Sequence, residues 1–363
     1  MENRIGFYPR YDRLGASSRL RFFQFYERWL REDPETARRL ALHPGMSDDY
    51  LRALYAGKCG KMRKLREWLR LWRRAFHLEE RLLIEYELLP GVPYAVERLF
   101  LGSRRYLLNF DDNVWEKYRK HPLLAGKFDA LVRLASGVIV ANRFLYEKVA
   151  KLQKNLILIP TVVEESPYRV PAEKFDRFTV VWIGTPVTYR YLEHFAEALR
   201  AMHRAVDFEL LVVARKELAA RPLPGGDTRF IDWSEANEAE ALKRSHVGIM
   251  PLTDDGFARG KSAYKLIQYQ AAGLPALASP VGENIHLIRP GVNGFLPQTP
   301  EEWATALGKL HDDRECYRHC AEHARLDSEQ YTLEHYFPIF RKFVLDALHG
   351  TASGGECPTP RAD

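Results

Sequence analysis

The feature that most constrains the fold is a strand–helix pattern that runs once along the chain and then starts again. Short apolar runs alternate with helical periodicities from Arg4–Pro9 to Leu156–Pro160, and a second series opens at Phe178–Thr185 and continues to Pro275–Ser279. Strands alternating with helices specify a parallel sheet covered on both faces. Two such series in succession predict an α/β chain of two doubly wound, Rossmann-like domains. Each series opens on a strand followed by a glycine turn, at Gly15-Ala-Ser-Ser18 in the first and Gly184-Thr-Pro186 in the second. The length agrees, because 363 residues exceed one comfortable core.

In such sheets ligands bind beyond the carboxyl ends of the strands, so the expected site is a central cleft between two facing domains. The domains are predicted at 1–163 and 178–330. Residues 164–177, with two prolines and many charges, read as a linker. A helix at 331–348 is expected to return to the first domain, and the Gly-, Pro- and Ala-rich 350–363 to be a disordered tail. In the first domain, helices are expected to fill much of 35–80, and Ser17 or Ser18 to cap the helix after Gly15. Glu85, Glu87, Asp111 and Asp112 fall at predicted strand ends, where each carboxylate either orients a hydroxyl or caps the next helix.

Hydrophobic residues are 46% and charged residues 28% of the chain, the balance of a folded globular protein. No stretch approaches the roughly 18 consecutive apolar residues of a membrane span. The start, MENRIGFYPRYDRLG, has no apolar signal core, which predicts a cytoplasmic protein. Cys59, Cys316, Cys320 and Cys357 are scattered without zinc-like pairing. Cys316 and Cys320, one helical turn apart, read as two thiols of a helix. The net charge of +6 is concentrated in 58–74. There Leu65, Trp68, Leu69, Trp72 and Phe76 share one helical face, and arginines occupy the flanks and the opposite side. Two readings stay open: an apolar stripe packed on the core under a solvated basic face, or a helix lying on the anionic inner surface of a membrane. Nucleic-acid binding is set aside, since no recognition motif accompanies the charge.

The segment Lys261-Ser-Ala-Tyr-Lys-Leu-Ile-Gln-Tyr-Gln-Ala-Ala-Gly-Leu-Pro-Ala-Leu-Ala-Ser-Pro-Val-Gly282 resembles the signature of the large retaining GT-B glycosyltransferase family (glycosyltransferase family 4-like, glycosyl transferases group 1). That signature reads roughly Glu-x7-Glu-(Ala/Tyr)-x-Ala-x-Gly-x-Pro-Val-x-Ala-Ser before a glycine turn. Ile288–Leu296 is similar to the block that follows it, and Trp182–Pro186, Phe110–Asn113 and Val138–Asn142 are similar to other family segments. This sequence departs from the pattern at both glutamates. The second, a ribose-binding group in the family, is matched by Gln268, whose amide can still accept a hydroxyl hydrogen bond. The first, which in the family contacts the donor sugar or supports the reaction, is matched by Gly260. Asp254 and Asp255 are the nearest substitutes.

The resemblance implies a divergent member that moves a sugar, of hexosyltransferase type, from a UDP- or GDP-like nucleotide sugar to a polysaccharide, lipopolysaccharide or lipid-linked acceptor. It implies retention of configuration, with the leaving phosphate taking the acceptor proton. A catalytically silent nucleotide-sugar-binding subunit is the alternative. Glycine turns and helix starts supply amides for a diphosphate, and cations balance its charge as it leaves. Lys265 and Lys261, expected one turn apart on the motif helix, are the candidate catalytic cations, with Asp112 as the candidate carboxylate. Gly15, Gly184, Thr185, Arg190, Arg215, Gln268, Gly282, Glu283 and Asn284 are the candidate donor-binding residues. Asp111-Asp112-Asn113 is not the Asp-x-Asp metal motif of the other major glycosyltransferase fold, so neither a metal nor another cofactor is expected.

Overall fold

The computed structural model describes residues 4–221, 223 and 226–350. The predicted tail lies outside the described residues from 351 onward. The chain divides into two compact units. The first holds Met1–Thr161, Gly260–Ser262 and Leu333–Asp363; the second holds Val162–Arg259 and Ala263–Thr332.

The first unit is built on six parallel strands: β1 (Ile5–Tyr8), β2 (Leu40–Leu42), β3 (Arg81–Glu85), β4 (Arg105–Phe110), β5 (Gly137–Val140) and β6 (Leu156–Leu158). They lie in the order β2-β1-β3-β4-β5-β6, with Phe7 opposite Leu83 and Leu108 opposite Val138. Strands β3 to β5 are almost continuously apolar because both faces of a parallel sheet are covered. The edge strand β2 occupies part of the stretch expected to be helical; three residues are too few to show a period. The helix Leu333–His349 belongs to this unit and packs Phe340 on Phe25, ring centroids 4.3 Å apart, and against Phe7 and Trp29.

Neither serine after Gly15 caps a helix. Gly15 itself is the N-cap, and the helical run continues through a π-helical turn at Arg19–Phe23 into the Gln24–Glu32 helix. Ser18, inside the first turn, is fully buried and donates to Glu85 Oε2 at 2.5 Å.

The basic helix spans Lys61–Phe76, and the structure overturns the core-packed reading of its stripe. Its buried residues are Glu67, Leu71 and Ala75, whereas Leu65, Trp68, Leu69 and Phe76 are exposed and Trp72 is half-buried. Polar anchors set this rotation. The Glu67 carboxylate accepts from the Ser47 amide and hydroxyl, and the Arg74 guanidinium donates to the carbonyls of Pro9, His43 and Leu88. Apolar periodicity alone cannot foresee a carboxylate and a guanidinium taking the inward face.

The second unit is likewise a six-stranded parallel sheet: β7 (Thr179–Ile183), β8 (Glu209–Ala214), β9 (Thr228–Asp232), β10 (Val247–Met250), β11 (Ala276–Ala278) and β12 (Gly294–Phe295). Its order is β12-β11-β10-β7-β8-β9, so the chain reverses direction across the sheet between β7 and β10. Part of the expected linker is packed into this unit: Ser166–Tyr168 forms a 3-10 turn, Tyr168 is buried, and the Phe175 amide bonds the Arg244 carbonyl. The motif helix is shorter than expected and runs from Tyr264 to Ala271. Ala263 precedes it with φ +52, a left-handed conformation that stops the helix from extending back to Lys261.

Candidate functional site

A doubly wound sheet binds ligands beyond the carboxyl ends of its strands at the point where strand order reverses. In the second unit that point is the end of β7 beside β10. Gly184 leaves β7 there, and a Cβ on it would stand 2.3 Å from the Trp182 ring, so only glycine lets the turn pass over the indole. Thr185 is the N-cap of the Pro186–His194 helix, and its amide donates to Thr188 Oγ1 at 3.0 Å. Lys265, in the first turn of the motif helix, places its ammonium 5.3 Å from the centroid of the same Trp182 ring. Structure thus brings Gly184 and Lys265 together around a tryptophan that sequence reasoning did not single out.

Two arginines follow the neighbouring turns. Arg190, exposed on the Pro186–His194 helix, lies 5.0 Å from the Tyr191 ring centroid and donates to its hydroxyl at 3.3 Å. Arg215 leaves the end of β8, beside β7; its Nε is buried without a hydrogen bond, and the Glu217 carboxylate stands 3.8 Å away. The turn after β11 needs glycine at Gly282, where φ is +58 and a Cβ would meet the Arg259 carbonyl oxygen at 2.5 Å. Asn284 is buried beneath that turn and donates to the Ser279 carbonyl at 2.9 Å, which makes it a brace for the backbone. Glu283 is the N-cap of the short Asn284–Leu287 helix.

Both substitutes for the first motif glutamate are engaged in local contacts. Asp254 forms a two-pronged pair with Arg259, and Asp255 accepts from the amides of Phe257 and Ala258 and from Thr253. Burial alone would raise the Asp255 carboxyl, but these hydrogen bonds and the Arg190 charge hold it below the ordinary range. Gln268 is buried, and its amide nitrogen donates to Glu238 Oε1 at 2.5 Å and to the Tyr168 hydroxyl at 3.4 Å. The other Glu238 oxygen accepts from Trp233 Nε1 at 2.6 Å. Glu238 therefore stands a carboxylate beside the position where the motif has lost one. Ser234, which caps the Glu235–Arg244 helix after β9, was the available signal for it.

Lys261 is not on the helix with Lys265. It lies in the irregular Gly260–Ser262 segment of the first unit, 3.9 Å from Asp112. Gly260 is held there by Asn142, which donates to its carbonyl at 2.8 Å, and a Cβ on it would stand 2.3 Å from Asn113 Cβ. The glycine that replaces the family glutamate thus fills a place with no room for a side chain. Gly15 is similarly fitted, with a Cβ position 2.5 Å from Tyr11 Cβ.

Of the strand-end carboxylates, Glu85 and Glu87 are buried and act in networks instead of capping helices. Glu87 meets Arg10, Lys117 and Lys127, and these cations hold its carboxyl below the ordinary range against the opposing effect of burial. Burial, followed by the Arg10 charge, lowers Lys117 to about 8. Asp111 accepts from the Tyr86 hydroxyl, and Tyr86 is itself held at φ +61. Asp112 alone of the four keeps a partly accessible side chain among the candidates, beside Lys261.

Residues 177–313 match the family model described as glycosyl transferases group 1. The match falls almost wholly within the second unit. Among solved structures, the whole chain has the fold of GT-B glycosyltransferases. It aligns with HepE of Anabaena, solved with UDP and glucose, at a TM-score of 0.66 and 13% identity over 95% of this chain and 100% of that one. Sucrose-phosphate synthase of Thermosynechococcus elongatus gives 0.69 and 15% over 97% and 100%, and a glycosyltransferase of Rickettsia africae gives 0.60 and 12% over 96% and 99%. No curated protein matches the chain in sequence at a significant level. The group 1 match covers every second-unit candidate, from Gly184 to Asn284.

Proposed function

We propose that the protein is a glycosyltransferase that takes a hexose from a UDP-sugar and transfers it, with retention of configuration, to a polysaccharide, lipopolysaccharide or lipid-linked acceptor. The observation that carries this reading is the meeting of Lys265, Trp182 and the Gly184 turn at the strand-order reversal of a group 1 segment. The UDP assignment is supported by HepE, which has been crystallised with that nucleotide.

In this reading the Gly184 and Gly282 turns present backbone to the diphosphate, and Lys265, Arg190 and Arg215 balance the charge that grows on it as the glycosidic bond breaks. Glu238, held by Gln268 and Trp233, accepts from a ribose hydroxyl in place of the missing motif glutamate. The leaving phosphate oxygen takes the proton of the acceptor hydroxyl, so no dedicated protein base is needed. Asp112 and Lys261 orient the acceptor side, and no metal is required.

One observation favours a second reading, a donor-binding subunit without turnover: Gly260 offers no carboxylate where the family has one. The test is calorimetric titration with UDP and GDP, followed by detection of slow sugar release from UDP-hexoses. Tight UDP binding with release supports the transferase, and binding without release in the presence of glycan acceptors supports the silent subunit. Absence of binding to any nucleotide overturns both.

A further inference from the structure

The first unit carries a surface that donor chemistry does not use. Along the Lys61–Phe76 helix, Met62 is 78% exposed, Leu65 48%, Trp68 45%, Leu69 51% and Phe76 68%. Soluble surfaces seldom line up large apolar side chains in this way. The aromatic end of this stripe continues onto the neighbouring helix Tyr94–Leu101, where Phe100 packs edge-on against Phe76 at 5.1 Å and Trp72 at 5.4 Å. Trp68 and Trp72 lie 5.1 Å apart within it.

The orientation is built in. Rolling the stripe inward would pull Glu67 from the Ser47 amide and hydroxyl and Arg74 from the carbonyls of Pro9, His43 and Leu88, leaving those groups without these partners. The outward face is also strongly one-signed. Arg63, Arg66, Arg70 and Arg73 are exposed beside the apolar arc, and the helix's acidic residue, Glu67, is buried. A second copy of the chain is a poor occupant, because an isologous contact would set arginines against arginines. An apolar arc bordered by arginines, about 24 Å long at 1.5 Å per residue, matches an anionic lipid interface, where aromatic and leucine side chains enter the acyl boundary and arginines meet phosphates. Among the described residues no helix is long and apolar enough to cross a membrane.

We propose that this face of the Lys61–Phe76 helix, with Phe100, is a docking surface for a bilayer containing anionic phospholipid, where it seats apolar side chains in one leaflet without spanning it. The surface lies wholly in the first unit and stands independently of the donor reading.

The test is co-sedimentation of the full chain with phosphatidylcholine vesicles, with and without phosphatidylglycerol. Binding is expected only when phosphatidylglycerol is present, and it should weaken as salt rises. Two variants at exposed positions separate the contributions: Leu65→Ser/Leu69→Ser/Phe76→Ser, and Arg63→Gln/Arg66→Gln/Arg70→Gln/Arg73→Gln. Each is expected to lower partitioning at least about tenfold while leaving UDP binding unchanged, which keeps failure here distinct from failure at the donor site. Quenching of the wild-type tryptophan fluorescence by brominated anionic lipid tests insertion without any variant. No binding to phosphatidylglycerol vesicles, binding unchanged in both variants, or a dimer in solution that the serine substitutions dissolve would each overturn the proposal.

Discussion

Replacing Glu85 by glutamine should make the first unit's stability less dependent on pH. The Glu85 side chain ends β3 in full burial, where Oε2 accepts from the Arg10 amide at 2.7 Å and from Ser18 at 2.5 Å, and Oε1 has no hydrogen bond. Burial, reinforced by the nearby Asp111 charge, raises its carboxyl from 4.5 to about 7. The folded state therefore keeps a proton that the unfolded chain has already lost. Stability falls as pH climbs from about 4.5 through about 7, with the penalty absent below that window and complete above it. At 1.36 kcal/mol per pKa unit, the window is worth about 3 kcal/mol.

Glutamine stays neutral and still offers a carbonyl oxygen to Arg10 and Ser18. The stability difference between variant and wild type should therefore shift by about 2.5 kcal/mol in the variant's favour between pH 5 and pH 8. A constant cost of fitting the amide does not affect that shift. Urea unfolding at a series of pH values, followed by hydrogen exchange in peptides spanning β3, isolates the first unit and gives the difference by linear extrapolation. A difference that stays flat across the series would show that Glu85 ionises as an ordinary carboxylate, and the reasoning from burial would be wrong.

The site reading makes three further predictions. Lys265→Ala should weaken UDP binding by about 1–3 kcal/mol, the range of a lost charged hydrogen bond, without lowering the melting temperature by more than a few degrees; calorimetry with UDP and uridine should show the loss for UDP alone. Glu238→Gln should erode the preference for UDP over 2′,3′-dideoxy-UDP, measured by competition, because the carboxylate rather than the base pocket reads the ribose; an unchanged preference would remove Glu238 from the site. Gly260→Glu, which restores the family residue, should destabilise by roughly 1–3 kcal/mol rather than raise turnover, since its Cβ would stand 2.3 Å from Asn113 Cβ; thermal melting beside a sugar-release assay decides this.

The sequence by itself determined the class of the fold, because continuous apolar strands and amphipathic helices alternate in a fixed period, and that period implies parallel sheets whatever the packing. It also determined the group 1 segment, since Gly282 and the Gly273-Leu-Pro275 run encode backbone requirements that are local: Gly273 and Gly282 sit at φ +66 and +58. Contacts between positions far apart along the chain were not legible. Lys265 was a candidate from the sequence alone, but its neighbour Trp182, 83 positions earlier, was not, and neither was the pairing of Glu238 with Gln268, 30 positions later. The left-handed turn at Ala263 separated Lys261 from the helix that Lys265 begins, a break no spacing rule announces for an alanine. Which face of the Lys61–Phe76 helix turns outward was decided by Ser47 and by backbone carbonyls at Pro9, His43 and Leu88. Hydrophobic periodicity records where apolar side chains lie on a helix. Only the tertiary structure decides which arc the core claims, because a buried ion supplied with several hydrogen-bond partners can outweigh the apolar area left in water.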